Sequence, residues 1–401
     1  MDFRTTIAIN INEIFPIGVE YLIDIIKVSK DNKNGEYYLP CFLLKDIINI
    51  KPNNIAEEIG KNIDKNIFEK VVVVGPYVNF FIDRIYRTRT VIENIVNKNY
   101  LKLRKSNIYI ENNVRSYRRT KDEKYWYYFM VKSFSSILKY AGYNVITLNF
   151  NKYDEEKYID NITAKFYHDK IQELKNRHRI YEEYQLKAIL LDKFNLAPLI
   201  ISYKDKITEG GEELINFITI NETRDFYKYI YISTDERTFH FNKLSKALDT
   251  LGYSEENKYQ HIEINERILN LYRKSYRAME KVYFKPREIL KKSYELNKIE
   301  LLENINYLRD LTKPQENELI LAIGAFENAV IECIETLDIS IILDYSIHMA
   351  TKFYEVCYLY DKRKEEDSIE KCGRRVLIEA GYIVLNEVRN FIRWPKANNE
   401  R

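Results

Sequence analysis

The chain has 401 residues, enough for two or three domains, and 63 Lys and Arg against 60 Asp and Glu leave a net charge of only +3. Such a balance creates no global field that demands a nucleic acid, although a local basic face stays open because net charge averages over all faces. An apolar share of 45% beside a charged share of 31% is that of a globular protein, no apolar run reaches membrane-spanning length, and Asp2 and Arg4 with no long apolar core behind them do not read as a signal peptide.

From Met1 to about Lys105 the sequence reads as short strands and helices. Ile55 to Ile67 is expected to be a helix opened by Pro52 and Asn53 or Asn54. "FEKVVVVGPYVNFFID", Phe68 to Asp83, carries a Val run, a Gly75-Pro76 turn and a second apolar run, the pattern of a β-hairpin.

A middle part, 106–266, alternates strand and helix signals, which argues for a parallel α/β sheet. Ile108 to Phe150 has the outline of a nucleotide-binding unit: a β-branched strand, a connection, a helix and a second strand, "GYNVITLNF", expected to be buried. Met130, Phe134, Ile137, Leu138 and Ala141 share one helical stripe. "APLIISY" from Ala197, "LINFITI" from Leu214 and "YKYIYIST" from Tyr227 read as three more strands, and "FHFNKLSKALDTLGY" from Phe239 as a helix closing on Gly252. The last part, 267–401, shows helical spacing only, along Ala322, Phe326, Val330, Cys333 and Ile334 and again from Cys372 to Phe391, which makes a helical bundle. Cys41, Cys333, Cys357 and Cys372 form no C-x-x-C pair and the five histidines are scattered, so no metal site is expected and the setting reads as reducing and cytoplasmic. The 34 tyrosines accompany abundant Ile, Lys and Asn, a pattern of base composition that by itself is no evidence for base stacking.

These pieces, in this order, resemble the arginyl-tRNA synthetase family along nearly the whole chain. "GEYYLPCFLLKDIINIKPNNIAEEIGKNI", Gly35 to Ile63, is similar to the family's additional N-terminal domain with its G-D-x-x-x-P-C-F-x-L-A-K segment and I-A-E-x-I helix, and "VVGPYVNFFID" to its G-x-x-N-F strand turn. "GRRVLIEAGYIVL" stands where the DALR anticodon-binding domain has R-L-x-L-x-x-A-x-x-V-L. The resemblance implies α/β plus all-α architecture: a small α+β N-terminal domain (1–105), a shrunken Rossmann-like parallel-sheet centre (106–266) and a DALR-type helical bundle (267–401).

The catalytic signatures are missing where the resemblance would put them. The phosphate-gripping loop ahead of the helix reads "RSYRRTKDEKYWYYF", without glycine. On a gapless count the H-x-G-H signature falls at Lys121, Asp122, Glu123 and Lys124, preceded by Arg118 and Arg119. Glycine there lets backbone approach ATP while histidines donate to its phosphates; Asp122 and Glu123 suit a helix start but repel an anion. Lys152, Tyr153, Asp154 and Glu155 replace G-D-W-G, the arginine-holding pattern falls at Ile207, Glu213 and Ile220, and Ser275 to Leu290 holds only Lys281 and Lys285 as candidates for the K-M-S-K-like loop. The stretch from Phe150 to Ala197 is also much shorter than the family's catalytic insert.

For the remaining candidates two readings stay open. Tyr77 and Asn79 either meet the tRNA D-loop, by stacking and by reading a base edge, or support the turn, with Phe80 in the core. Arg115, Arg118 and Arg119 with their interleaved aromatics are either a phosphate and base contact surface or a solvated loop. His240 is a pocket residue, as the resemblance implies, or a satisfied histidine at a helix start. Lys352, Arg374 and Arg375 face the anticodon stem-loop or merely solvate the bundle. The expectation is a tRNA-binding adaptor, sensor or regulator, with no cofactor, no catalytic residue, no DNA and no membrane, and with a synthetase or tRNA-modifying enzyme as the kind of protein partner. The alternatives are a divergent arginine–tRNA ligase, which would use ATP, and a protein-interaction module pairing with a true synthetase.

Overall fold

The computed structural model describes residues 3–29, 34–98, 106–112, 121–149, 164–177, 179–253, 258–292, 298–361 and 369–392. It divides into two compact units, the first formed by Met1–Lys102 with Arg273–Asn390, the second by Leu103–Tyr272 with Phe391–Arg401.

The N-terminal portion of the first unit packs α1 (Phe3–Ile14), α2 (Val19–Ile25), α3 (Lys45–Ile48) and α4 (Pro52–Asn62) around an antiparallel sheet of β1 (Lys27–Val28), β2 (Tyr37–Pro40), β3 (Phe68–Val74) and β4 (Tyr77–Ile82), in the order β1-β2-β4-β3. The hairpin β3–β4 is where the Val run and the Gly75-Pro76 turn put it. Helix α4 carries Pro52 in its first turn, where the absent N–H costs nothing, but stops at Asn62; Ile67 lies beyond it, a correction to the expected length. α5 (Arg84–Val96) follows, capped by the Asp83 carboxylate, which accepts from the backbone N–H groups of Ile85 (3.1 Å) and Tyr86 (2.8 Å).

The second unit holds β5 (Asn107–Asn112), α6 (Lys121–Tyr140), β6 (Asn144–Asn149) and α7 (Ala164–Asn176), then β7 (Tyr181–Glu183), β8 (Leu186–Ile189), β9 (Leu199–Tyr203) and β10 (Lys206–Ile207). α8 (Glu209–Thr223), β11 (Lys228–Thr234), α9 (Thr238–Leu251) and β12 (Tyr259–Ile264) complete it, and α10 (Glu266–Lys292) starts here and continues into the first unit. One sheet is parallel, ordered β12-β11-β5-β6. The β5–α6–β6 unit therefore forms as its sequence outline implies, although β6 is an edge strand and only partly buried.

Two other strand expectations are corrected. "APLIISY" enters a separate antiparallel sheet, β10-β9-β8-β7, and not the parallel one. "LINFITI" is not a strand but the body of α8. Thr208 caps this helix, its hydroxyl accepting from Gly211 N at 3.0 Å. Gly211 has no side chain to hold it off β9: a Cβ there would sit 2.2 Å from the Ile201 carbonyl oxygen. Burial on almost every side then outweighs the weak strand preference of its β-branched residues.

The first unit resumes with the rest of α10, then α11 (Lys298–Glu303), α12 (Pro314–Gly324), α13 (Phe326–Thr336), α14 (Ile339–Asp361) and α15 (Ile369–Phe391). The stripe from Ala322 to Ile334 is buried throughout but crosses a break at Ala325, so it belongs to two helices. Within this unit α5 ties the sheet to the bundle: Arg87 Nε donates to the Gly324 carbonyl (2.7 Å), Thr88 Oγ1 to the Ile320 carbonyl (3.2 Å) and Asn94 Nδ2 to Glu327 (2.7 Å). Among the described residues no helix is long and apolar enough to cross a membrane.

Candidate functional site

In the parallel sheet the chain moves from β5 outward to β6 on one side and later to β11 on the other. The strand order therefore reverses between β5 and β11, and the crevice at their carboxyl ends is where open α/β sheets bind ligands. Glu111 near the end of β5 stands opposite Tyr231 of β11, and Arg237 and His240 come from the segment that leaves β11.

Near this reversal, between the sheet and α8, the chain's own side chains bond to one another. Glu213 of α8 is 3% exposed. Its Oε1 accepts from Arg237 Nη2 at 2.8 Å and from the Tyr231 hydroxyl at 3.0 Å, and its Oε2 lies 2.5 Å from His240 Nε2. Arg237 also reaches Glu209 through Nη1 at 2.7 Å. Burial draws the Arg237 guanidinium down, but Glu213, Tyr231 and Glu209 outweigh it and hold it above its ordinary value. Glu111 is fully buried and accepts from the Tyr229 hydroxyl at 2.6 Å. Burial, then the neighbouring Glu213, push the Glu111 carboxyl well above the usual carboxylate range, which favours its neutral form. A carboxylate with both oxygens engaged by internal donors, as in Glu213, is not available as a base or as the seat of an outside cation.

Beside the network a cleft of about 540 Å³ opens, lined in part by Leu199, Ile200, Tyr203, Glu209, His240 and Lys243. His240 thus touches both the network and the cleft. Of the arginine-holding positions, Ile220 is buried and Ile207 half-buried in β10. α6 begins at Lys121, so Asp122, Glu123 and Lys124 fall in its first turn; of 121–126 only the backbone is described. Arg115, Arg118, Arg119 and 152–155 lie outside the described residues. The Ser275 to Leu290 segment, searched for a K-M-S-K-like loop, is continuous helix within α10.

On β4 alternation buries Val78, Phe80 and Ile82 and turns Tyr77 and Asn79 to the opposite face. Tyr77 meets Phe42 and Tyr38 edge-on, at ring-centroid distances of 5.8 and 6.3 Å. Asn79 sits within the strand, opposite Tyr38 and Val72, and not in the turn. The bundle cations have carboxylate partners: Lys352 meets Glu318 (2.7 Å) and Glu355 (3.3 Å), Arg374 meets Glu316 (3.2 Å), and Arg375 meets Glu379 (3.7 Å). A phosphate would have to compete with those carboxylates. Sequence reasoning missed Glu111, Glu209, Tyr229, Tyr231 and Arg237. Glu111 lies near the carboxyl end of β5 and Arg237 just past β11, ends that only the strand order brings together, while Glu209, Tyr229 and Tyr231 carry no linear signal.

The fold and its ends define a class of protein. The profile of the arginyl tRNA synthetase N terminal domain matches residues 1–82, and that of the DALR anticodon binding domain matches 267–391. An arginyl-tRNA synthetase structure from Thermus thermophilus shares the fold over 97% of this chain and 98% of its own, with a TM-score of 0.59 at 12% identity. One from Plasmodium falciparum does so over 97% and 96%, with a TM-score of 0.55 at 12% identity. The arginine–tRNA ligase of Clostridium botulinum strain 657 is 22% identical over 558 aligned positions, covering 98% of this chain and 99% of the relative. That of Clostridium acetobutylicum is 40% identical over 98 residues, 24% of this chain and 17% of the relative. The chain belongs to the arginyl-tRNA synthetase family. The alignment to the C. botulinum ligase is far longer than this chain's 401 residues, so the difference is gap in this chain.

Proposed function

We propose that this protein binds tRNA, with arginine tRNA as the first candidate, and acts in the cytoplasm as an adaptor, sensor or regulator without aminoacylating it. The observation that carries this reading is the internal bonding of Glu213: at the position where the resemblance implies a carboxylate holding substrate arginine, it is bonded instead by Arg237, Tyr231 and His240. The glycine-free segment ahead of α6, with two carboxylates in the helix's first turn, supports it by opposing a bound phosphate. Catalysis of acyl activation relies on preorganised donors aimed at the reacting phosphate, and the family's usual donors are absent from the sequence. The match of both terminal domains supports retained RNA binding.

A catalytic reading, as a divergent arginine–tRNA ligase using ATP, is favoured by the cleft beside His240 and by ligases that align along the whole chain. Arginine-dependent exchange of pyrophosphate into ATP, measured with and without tRNA, separates the two. Our reading expects no exchange above a protein-free control while tRNA is retained on filters at low salt; clear turnover defeats it.

A further inference from the structure

In the first unit, α10 buries Ser275, Met279 and Val282 along one edge, and the hydroxyls of Ser275 and Ser346 bond it to α14. On the opposite side Lys274, Arg277 and Lys281 are all exposed. Their spacing of three and four residues aligns them in one row along about 10 Å of helix, at 1.5 Å per residue. We propose that this row is a phosphate-binding ridge that tracks the backbone of the bound RNA. The inference rests on the tRNA-binding reading above and adds a contact surface to it.

Charge bookkeeping favours a polyanion over plain solvation. Among the bundle's other cations, Lys352, Arg374 and Arg375 are matched by carboxylates. Lys274, Arg277 and Lys281 make no ion pair with any described residue, not even Arg277 with Glu280 three positions on. Lys274 and Lys281 have no Asp or Glu three or four positions away. Like charges at these spacings weaken a helix, so the row is a cost unless an outside anion relieves it. Both side-chain types suit phosphate: the guanidinium as a fork of donors, the ammonium as a point charge on a flexible stem. The occupant is therefore a chain of phosphates, and RNA is the polyanion that the family's terminal domains fit.

The test uses the full chain and unfractionated tRNA, with binding measured from low to moderate salt. The variants are Lys274→Ala/Arg277→Ala/Lys281→Ala and the charge-keeping Lys274→Arg/Arg277→Lys/Lys281→Arg. The alanine variant should bind at least about tenfold more weakly at low salt, and its log–log salt slope should be shallower by about 2 to 3, near one per lost phosphate contact. The charge-keeping variant should follow the parent, and the alanine variant should melt no lower than the parent, because exposed side chains are replaced and the like-charge repulsion along the row is removed. If the parent binds tRNA and the alanine variant matches its affinity and slope, the ridge is wrong and the wider reading stands. If the parent itself fails to retain tRNA, both fall. Retention of poly-glutamate with the same salt slope as tRNA would reassign the row to an acidic protein and overturn the proposal.

Discussion

Replacing Arg237 with Met removes the guanidinium from the switch-point crevice while keeping most of its apolar stem. Glu213, 3% exposed, then loses its guanidinium partner while it keeps the contacts of Tyr231 and His240. Breaking a buried pair from one side costs about 3 to 5 kcal/mol. The second arm of Arg237 ends on Glu209, whose side chain is 46% exposed, so its loss adds at most about 1 kcal/mol after solvent screening. The contacts of Tyr231 and His240 with Glu213 soften the effect, and a loss of about 3 kcal/mol at neutral pH is expected. Denaturant unfolding by far-UV circular dichroism, with the two units fitted as separate transitions, measures it. Glu213→Leu combined with Arg237→Met should recover part of the loss, because removing both charges of a buried pair is often close to neutral while Tyr231 and His240 lose their Glu213 contact. A single-variant loss below about 1 kcal/mol would refute the internal pairing.

Tyr77→Ala with Asn79→Ala should weaken tRNA binding by about tenfold or more, since stacking of one base is worth about 1 to 3 kcal/mol, and should leave the chain folded. An unaltered affinity removes both residues from the RNA surface. His261 lies 2.8 Å from Ser233 Oγ and stacks on Phe241 at 4.6 Å. Burial pushes its imidazole down to about 4, against the pull of Glu263. The unfolded chain therefore takes up the proton first, and stability is lost as pH falls from about 6.5 towards 4 with no contribution above that window. Proton NMR of the ring should show a neutral imidazole from about pH 5 to 8; a midpoint above about 6 would contradict the burial.

Local signals determined much of this protein without help from the rest of the chain. The β3–β4 hairpin needed only alternation and a Gly-Pro turn, α9 ends where Gly252 takes a φ of 81°, and the buried stripes of the bundle were legible because one apolar face repeats at helical spacing. The collinear family motifs are equally a property of the string. What the tertiary structure alone decided is which elements are enclosed and which meet. "LINFITI" has no amphipathic period because α8 is buried on nearly every side, and a fully buried helix and a buried strand look the same in sequence. Glu111 and Tyr229 are 118 residues apart, and Glu213 and Arg237 are 24 apart on different elements. Only the pairing of β5 with β11 brings Glu111 beside Tyr229, and only the surrounding apolar packing makes the Glu213–Arg237 pair interact strongly.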